Sequence, residues 1–178
     1  MDSTPLGIVP IKKGKKMAGT TLCVVDMQPG FNACYSIVQE TIREIRLAKR
    51  RGDGIVFVEL NPQYNKETLS ELKEAAHAGG YEKIAYAKKT GGDGSAEFVD
   101  AAGAAGWFPL KRVRVCGVNR GACVIDTVRG LIGMISKNVR IELAYEATAP
   151  GTKKWAADDS WEKNQYQQMI DNGNLVVK

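Results

Sequence analysis

Histidine is nearly absent from this chain: His77 is the single one in 178 residues. The four cysteines, Cys23, Cys34, Cys116 and Cys123, include no C-x-x-C pair. A zinc site built on the usual Cys and His spacing is therefore not expected, and no metal and no organic cofactor is assigned. No apolar run approaches the roughly 18 residues needed to cross a bilayer. The N-terminus lacks an apolar core followed by a small-residue cleavage site. These absences make a cytoplasmic protein with free thiols the expectation. Aromatic residues are not interleaved with the basic ones as in a nucleic-acid stacking platform. The expected partner is a small molecule, with no nucleic acid and no membrane.

What is present fits a globular protein. The apolar fraction of 44% is enough for one sizeable core, and the length suits one domain. The formal charge of +5 sits partly in Lys12-Lys13-Gly14-Lys15-Lys16 and partly in Lys49-Arg50-Arg51. Contact with a polyanion is one reading. The plainer one, preferred here, is a solvated tail and a basic helix end whose cations complement the helix dipole. Residues 1–18, with two prolines and two glycines, read as a loose N-terminal extension to a single domain at 19–178.

Beyond that extension, apolar runs alternate with helical spacings. This is the signature of a parallel sheet covered on both faces. Strands are predicted at Thr20–Asp26, Gly54–Leu60, Lys83–Lys89, Arg112–Val118, Val139–Leu143 and Leu175–Val177. Helices are predicted at Ala33–Arg51, Glu67–Ala78, Ser95–Ala105, Ala122–Ser136 and Ser160–Asn172, with Gly52 as a stop and Ser95 as an N-cap. Six β-units make an α/β, three-layer, doubly wound sandwich with a mainly parallel, Rossmann-like sheet. Reactive groups in such sheets collect beyond the C-terminal ends of the strands. The basic and apolar alternation of Arg112–Val118 suggests a strand near an edge or a partner. With the apolar helix Ala122–Ser136, it is a candidate oligomer interface.

Three reactive residues fall at that sheet edge: Asp26 after strand one, Lys89 after strand three, and Cys123 opening the helix after strand four. Each also has an ordinary explanation. An Asp after a strand caps turns, a Lys there is usually solvated, and a Cys in an apolar segment is usually a small buried hydrophobe. The helix position changes the case for Cys123. Free backbone N–H groups and the positive end of the dipole are expected to lower its pKa, and a nearby ammonium would lower it further. The same N–H groups suit a developing oxyanion.

These residues carry a resemblance. Leu22-Cys23-Val24-Val25-Asp26-Met27-Gln28 with Phe31, and Gly117-Val118-Asn119-Arg120-Gly121-Ala122-Cys123-Val124 with Thr127, resemble the opening strand and nucleophile segment of isochorismatase-like cysteine hydrolases. The resemblance spans about residues 20 to 150. It implies that fold, a Cys123–Asp26–Lys89 triad, and a non-proline cis peptide before Asn119. It also implies an oxyanion hole from the Asn119 and Cys123 amides, and an assembly of two or more copies. Phe31 and Asn119 are the candidate substrate contacts, with Tyr64 and Trp155 as further aromatic candidates. Lys88 and Lys89 are adjacent, so they point to opposite faces of a strand and only one can serve. Lys89 is chosen because it borders the turn Thr90–Ser95, which resembles the loop after the family's lysine in some small members.

Two departures narrow the expectation. Asn119 stands where the family usually has a small residue. The nicotinamidase branch carries an Asp and two His for a metal after strand two, where this chain has Asn61-Pro62-Gln63-Tyr64-Asn65. Isochorismatases proper lack the cysteine nucleophile. The expected activity is metal-free thiol hydrolysis of a small amide- or ureide-type C–N bond. The competing reading is a catalytically silent protein that binds a small metabolite or serves as an oligomeric interaction module. A dinucleotide-binding reading needs a glycine-rich turn after strand one, where Met27-Gln28-Pro29-Gly30 stands instead.

Overall fold

A computed structural model describes residues 19–135, 137–151 and 159–178. The N-terminal extension with its lysine run, Ser136 and Trp155 lie outside the described residues. Six strands form one parallel sheet: β1 Thr20–Val25, β2 Gly54–Leu60, β3 Ile84–Lys89, β4 Arg112–Val118, β5 Arg140–Ala149 and β6 Leu175–Val177. Their order is β3-β2-β1-β4-β5-β6. The helices are α1 Val38–Arg51, the one-turn α2 Pro62–Asn65, α3 Ser70–His77, α4 Ser95–Ala104, α5 Ile125–Met134 and α6 Asp159–Asp171. Among the described residues, no helix is long and apolar enough to cross a membrane.

The two-residue period of a strand sorts the core into two layers. In β1, Leu22 and Val24 face a cluster with Ile45 and Ala48 of α1 and Leu72 of α3. Cys23 and Val25 face the other cluster, with Phe98 of α4, Val128 and Leu131 of α5, and Tyr166 and Met169 of α6. Each fully buried side chain such as Ile45 or Phe57 contributes about 1.5–3 kcal/mol of hydrophobic stabilisation. With both faces covered, the central strands need no polar alternation, which is why GIVFVEL reads as a continuous apolar run.

The sheet corrects the edge expectation for Arg112–Val118. β4 is an inner strand, between β1 and β5. Its alternating basic residues are there because α1 and β5 bring carboxylates over it. Arg114 makes a two-pronged contact to Glu44, at 2.6 and 2.9 Å, and lies 3.5 Å from Glu142. The basic end of α1 is also accounted for: Lys49 donates to the carbonyls of Ala75 and Ala78, both at 2.7 Å, tying α1 to the end of α3.

Other boundaries move for local reasons. The predicted helix at Ala33 opens as a 3-10 turn, Asn32–Ile37. Residues 67–69 stay outside α3 because Thr68 N–H donates to Glu59 (2.7 Å) and Leu69 N–H to Met27 O (2.9 Å). Ser95 is the first residue of α4 rather than its cap; the Asp93 side chain accepts the Ser95 N–H at 2.8 Å. β5 runs past Leu143 to Ala149, with an irregularity opposite Val115 and Gly117.

Gly117 marks the closest approach of β4 to β1. Its φ is +119°, and a Cβ there would stand 2.0 Å from the Val25 carbonyl oxygen. Gly117→Ala is expected to cost more than about 3 kcal/mol, read as a lower urea midpoint, because both backbone strain and a backbone clash oppose it.

Candidate active site

The strand order reverses between β1 and β4. Connections from these two strands leave in opposite directions, so a crevice opens beyond their C-terminal ends. Asp26 follows β1 with φ +51°, a left-handed conformation that Asp tolerates, and its N–H is held by Val58 O at 2.9 Å. Cys123 follows β4, in a π-helical turn over Arg120–Val124 that leads into α5. The peptide between Val118 and Asn119 is cis.

Lys89 ends β3, which is separated from β1 by β2, yet its side chain reaches the same place. Lys89 Nζ lies 3.0 Å from Asp26 Oδ2, with both side chains 0% exposed. A second donor of the ammonium goes to Gly92 O at 2.6 Å. Lys88, one residue earlier, is exposed. The strand period thus separates the two lysines, and Lys89 is the buried one. The turn Thr90–Ser95 covers it closely. At Gly94 a Cβ would stand 2.6 Å from Val58 and 3.0 Å from Lys89 Cδ, while the Gly94 N–H donates to Thr127 Oγ1 at 3.0 Å.

The Cys123 thiol is close enough to Asp26 and Lys89 for both to act on it. Thiol, carboxylate and ammonium therefore form one buried group. The Asp26–Lys89 contact is an ion pair, and among the described residues neither Asp26 oxygen has a hydrogen-bond partner of good geometry.

The electrostatics overturn the expectation of a lowered thiol pKa. Cys123 is pushed up to about 11, first by burial and then by the Asp26 charge; Lys89 opposes both. Asp26 is also raised, by burial, against the pull of Lys89. Burial outweighs the helix end here, because only 8% of Cys123 is exposed. The resting state that follows is a neutral thiol beside a carboxylate with raised proton affinity.

Burial has a consequence for the whole fold. Cys34 is pushed up to about 11 and Tyr81 to about 12 by burial, and Cys23, Cys116 and Tyr166 are raised too. Above about pH 9 the unfolded chain releases protons from these thiols, and then from the phenols, while the native state keeps them. The native state then holds more protons, so stability falls as pH rises through that window. Urea midpoints measured from about pH 8 to 10.5 are expected to decline steadily.

A cavity of about 520 Å³ lies beside the turn that carries Cys123, lined by Asn119, Gly121, Ala122, Pro150, Gly151, Trp161 and Glu162. Phe31 does not line this cavity; it is half-buried against the cluster beneath α1. Tyr64 is 82% exposed, and Trp155 lies outside the described residues. Sequence reasoning missed Gln28. Its buried side chain accepts the Leu60 N–H at 2.8 Å and donates to the carbonyls of Leu60 and Lys66, joining the turns after β1 and β2. A lone amide just after a buried strand was the available signal. Trp161 and Glu162 were missed as well, since a polar helix near the C-terminus gives no hint of what it faces.

The segment after β2 is poor in metal donors. Asn61, Gln63 and Asn65 offer neutral amides, and Asn65 Nδ2 is committed to Leu60 O at 2.9 Å. Among the described residues, no three His, Cys, Asp or Glu side chains cluster as ligands. Amides are poor zinc donors. These residues do not fit the metal of the nicotinamidase branch.

Strand order, parallel register and helices on both faces define the isochorismatase-like α/β fold. The chain is similar in structure to a nicotinamidase from Staphylococcus aureus, with a TM-score of 0.69 and 16% identity over 91% of this chain and 99% of that one. It is similar to the MAR1 ribonuclease from Caenorhabditis elegans, with a TM-score of 0.66 and 16% identity over 90% of this chain and 77% of that one. It is also similar to an N-carbamoylsarcosine amidase from Thermoplasma acidophilum, with a TM-score of 0.64 and 17% identity over 89% and 95% of the two chains. No protein-family model and no curated protein matches the sequence.

Proposed function

We propose that this protein is a cysteine hydrolase of small amide- or ureide-type C–N bonds, acting through a thioester on Cys123. The observation that carries the reading is the buried Asp26–Lys89 pair meeting the Cys123 thiol at the β1/β4 crevice. A buried ion pair contributes little net stability, so its presence beside a thiol calls for a chemical reason. The amidases that share the fold support the same class of reaction.

The steps follow from the protonation states. Asp26 takes the thiol proton as sulfur bonds to the carbonyl carbon, so no free thiolate accumulates in the resting enzyme. The carbonyl oxygen becomes an oxyanion held by the Asn119 and Cys123 N–H groups. Asp26 then delivers the proton to the leaving nitrogen, the C–N bond breaks and the amine departs. Water attacks the thioester, giving a proton to Asp26. The C–S bond breaks, and Asp26 returns the proton to sulfur. Lys89 stands beside the carboxylate and the developing thiolate throughout.

The resemblance also supports an assembly of two or more copies in the cytoplasm. β4, as an inner strand, offers no surface for that contact. Sedimentation reads the assembly state. The chemistry is tested by incubation with a panel of small amides and ureides, followed by intact-mass analysis and peptide mapping. Released amine together with an acyl adduct on Cys123 is expected. A protein that binds panel members but neither releases amine nor acquires an adduct is the silent metabolite binder.

A further inference from the structure

The turn that carries Cys123 is held from outside the crevice. In an α-helix the Val124 N–H would bond to Arg120 O. Here it reaches one residue further, to Asn119 O at 3.1 Å, and the Ala122 N–H shares that acceptor at 3.0 Å. The Arg120 carbonyl is also tied from outside the turn: the buried Tyr166 hydroxyl of α6 donates to it at 2.7 Å. The Arg120 side chain is fixed as well. It pairs with Glu162 of α6, with 10% and 13% of the two side chains exposed, and lies 4.2 Å over the Tyr145 ring. Glu162 can come this close because residue 121 is glycine: a Cβ there would stand 2.9 Å from Glu162 Oε2.

We infer that Tyr166 and Glu162 are positioning residues that keep the Arg120–Val124 turn in its wide π register and so hold the Cys123 thiol beside Asp26. The inference rests on the reading of Cys123 as the nucleophile. Without the Tyr166 hydroxyl, the turn loses its tie to α6, and the α register, in which the Val124 N–H bonds to Arg120 O, competes with the wide one. Rewinding drops one residue from the turn and carries Cys123 around the helix axis, away from the carboxylate. π turns concentrate at functional sites because they re-aim a side chain in this way.

The test needs no substrate. Iodoacetamide labelling is followed at each cysteine by peptide mapping, at about pH 8, in the wild type, Tyr166→Phe and Glu162→Gln. Released from Asp26 and from burial, the Cys123 thiol gains thiolate fraction but loses some intrinsic nucleophilicity, for a net rate increase of about tenfold in Tyr166→Phe. Glu162→Gln should move the rate the same way by a smaller factor, and it carries the test alone if Tyr166→Phe does not fold. Acceleration confined to Cys123 supports the inference. An unchanged or slower Cys123 rate, or equal acceleration at Cys34, overturns it. Failure of the wild type to turn over any amide would count against the hydrolase reading and leave this rate contrast interpretable.

Discussion

Cys123→Ala is expected to remove turnover almost entirely, by at least about 10⁴-fold, because nucleophile and base act as a unit and the remaining group has nothing to activate. The acyl adduct should vanish with it. The thiol contributes little to the core, since it is small and already borders the crevice, so the stability read from urea unfolding should change by less than about 1 kcal/mol. Steady-state kinetics, intact-mass analysis and one unfolding curve check all three. Unchanged hydrolysis in this variant would end the proposal that Cys123 is the nucleophile. The pH dependence should also differ from that of a preformed thiolate. With the thiol pushed up to about 11, the rate should follow ionisation of Asp26 on the acid side instead of thiol ionisation near pH 9.

The buried Asp26–Lys89 pair should show the second large effect. Lys89→Met leaves a fully buried carboxylate without its ammonium partner, and Asp26→Asn leaves an ammonium in the same position. Each single variant is expected to lose about 3–5 kcal/mol of stability, the cost of an uncompensated buried charge. The double variant Asp26→Asn/Lys89→Met removes both charges, and should be more stable than the sum of the single losses predicts by about 1–3 kcal/mol. All three should be inactive. Recovery of stability without recovery of activity would separate the pair's structural part from its chemical one. If Lys89→Met keeps both stability and activity, Lys89 belongs neither to the core's charge balance nor to the reaction.

Much of this arrangement was legible in residue order. Apolar runs separated by helical spacings located all six strands: GIVFVEL was bounded correctly because a buried strand leaves a continuous apolar run, and RVRVCGV by its alternation of Arg with Val followed by an apolar end. Adjacent lysines at the end of a strand had to face opposite ways, so one of them had to turn inward. β5 was cut short because Tyr145 and Glu146 interrupt its apolar run, although backbone pairing to β4 resumes at Thr148. The role of Arg114 was misread for a related reason: the carboxylates that neutralise it come from α1 and β5, far away in sequence.

By itself, the sequence determined the layered α/β fold and the sheet edge at which a thiol, an acid and one of two adjacent lysines arrive. These follow from periodicity and from what can end a strand, both of which are local. Three things were decided only by the tertiary structure. Lys89 was selected over Lys88 by which side of β3 is covered. The Cys123 pKa moves up rather than down because burial and the Asp26 charge outweigh the helix end. The turn holding Cys123 is braced by α6, more than forty residues further along the chain. Desolvation and long-range contact depend on what packs over a residue, and residue order alone does not carry that.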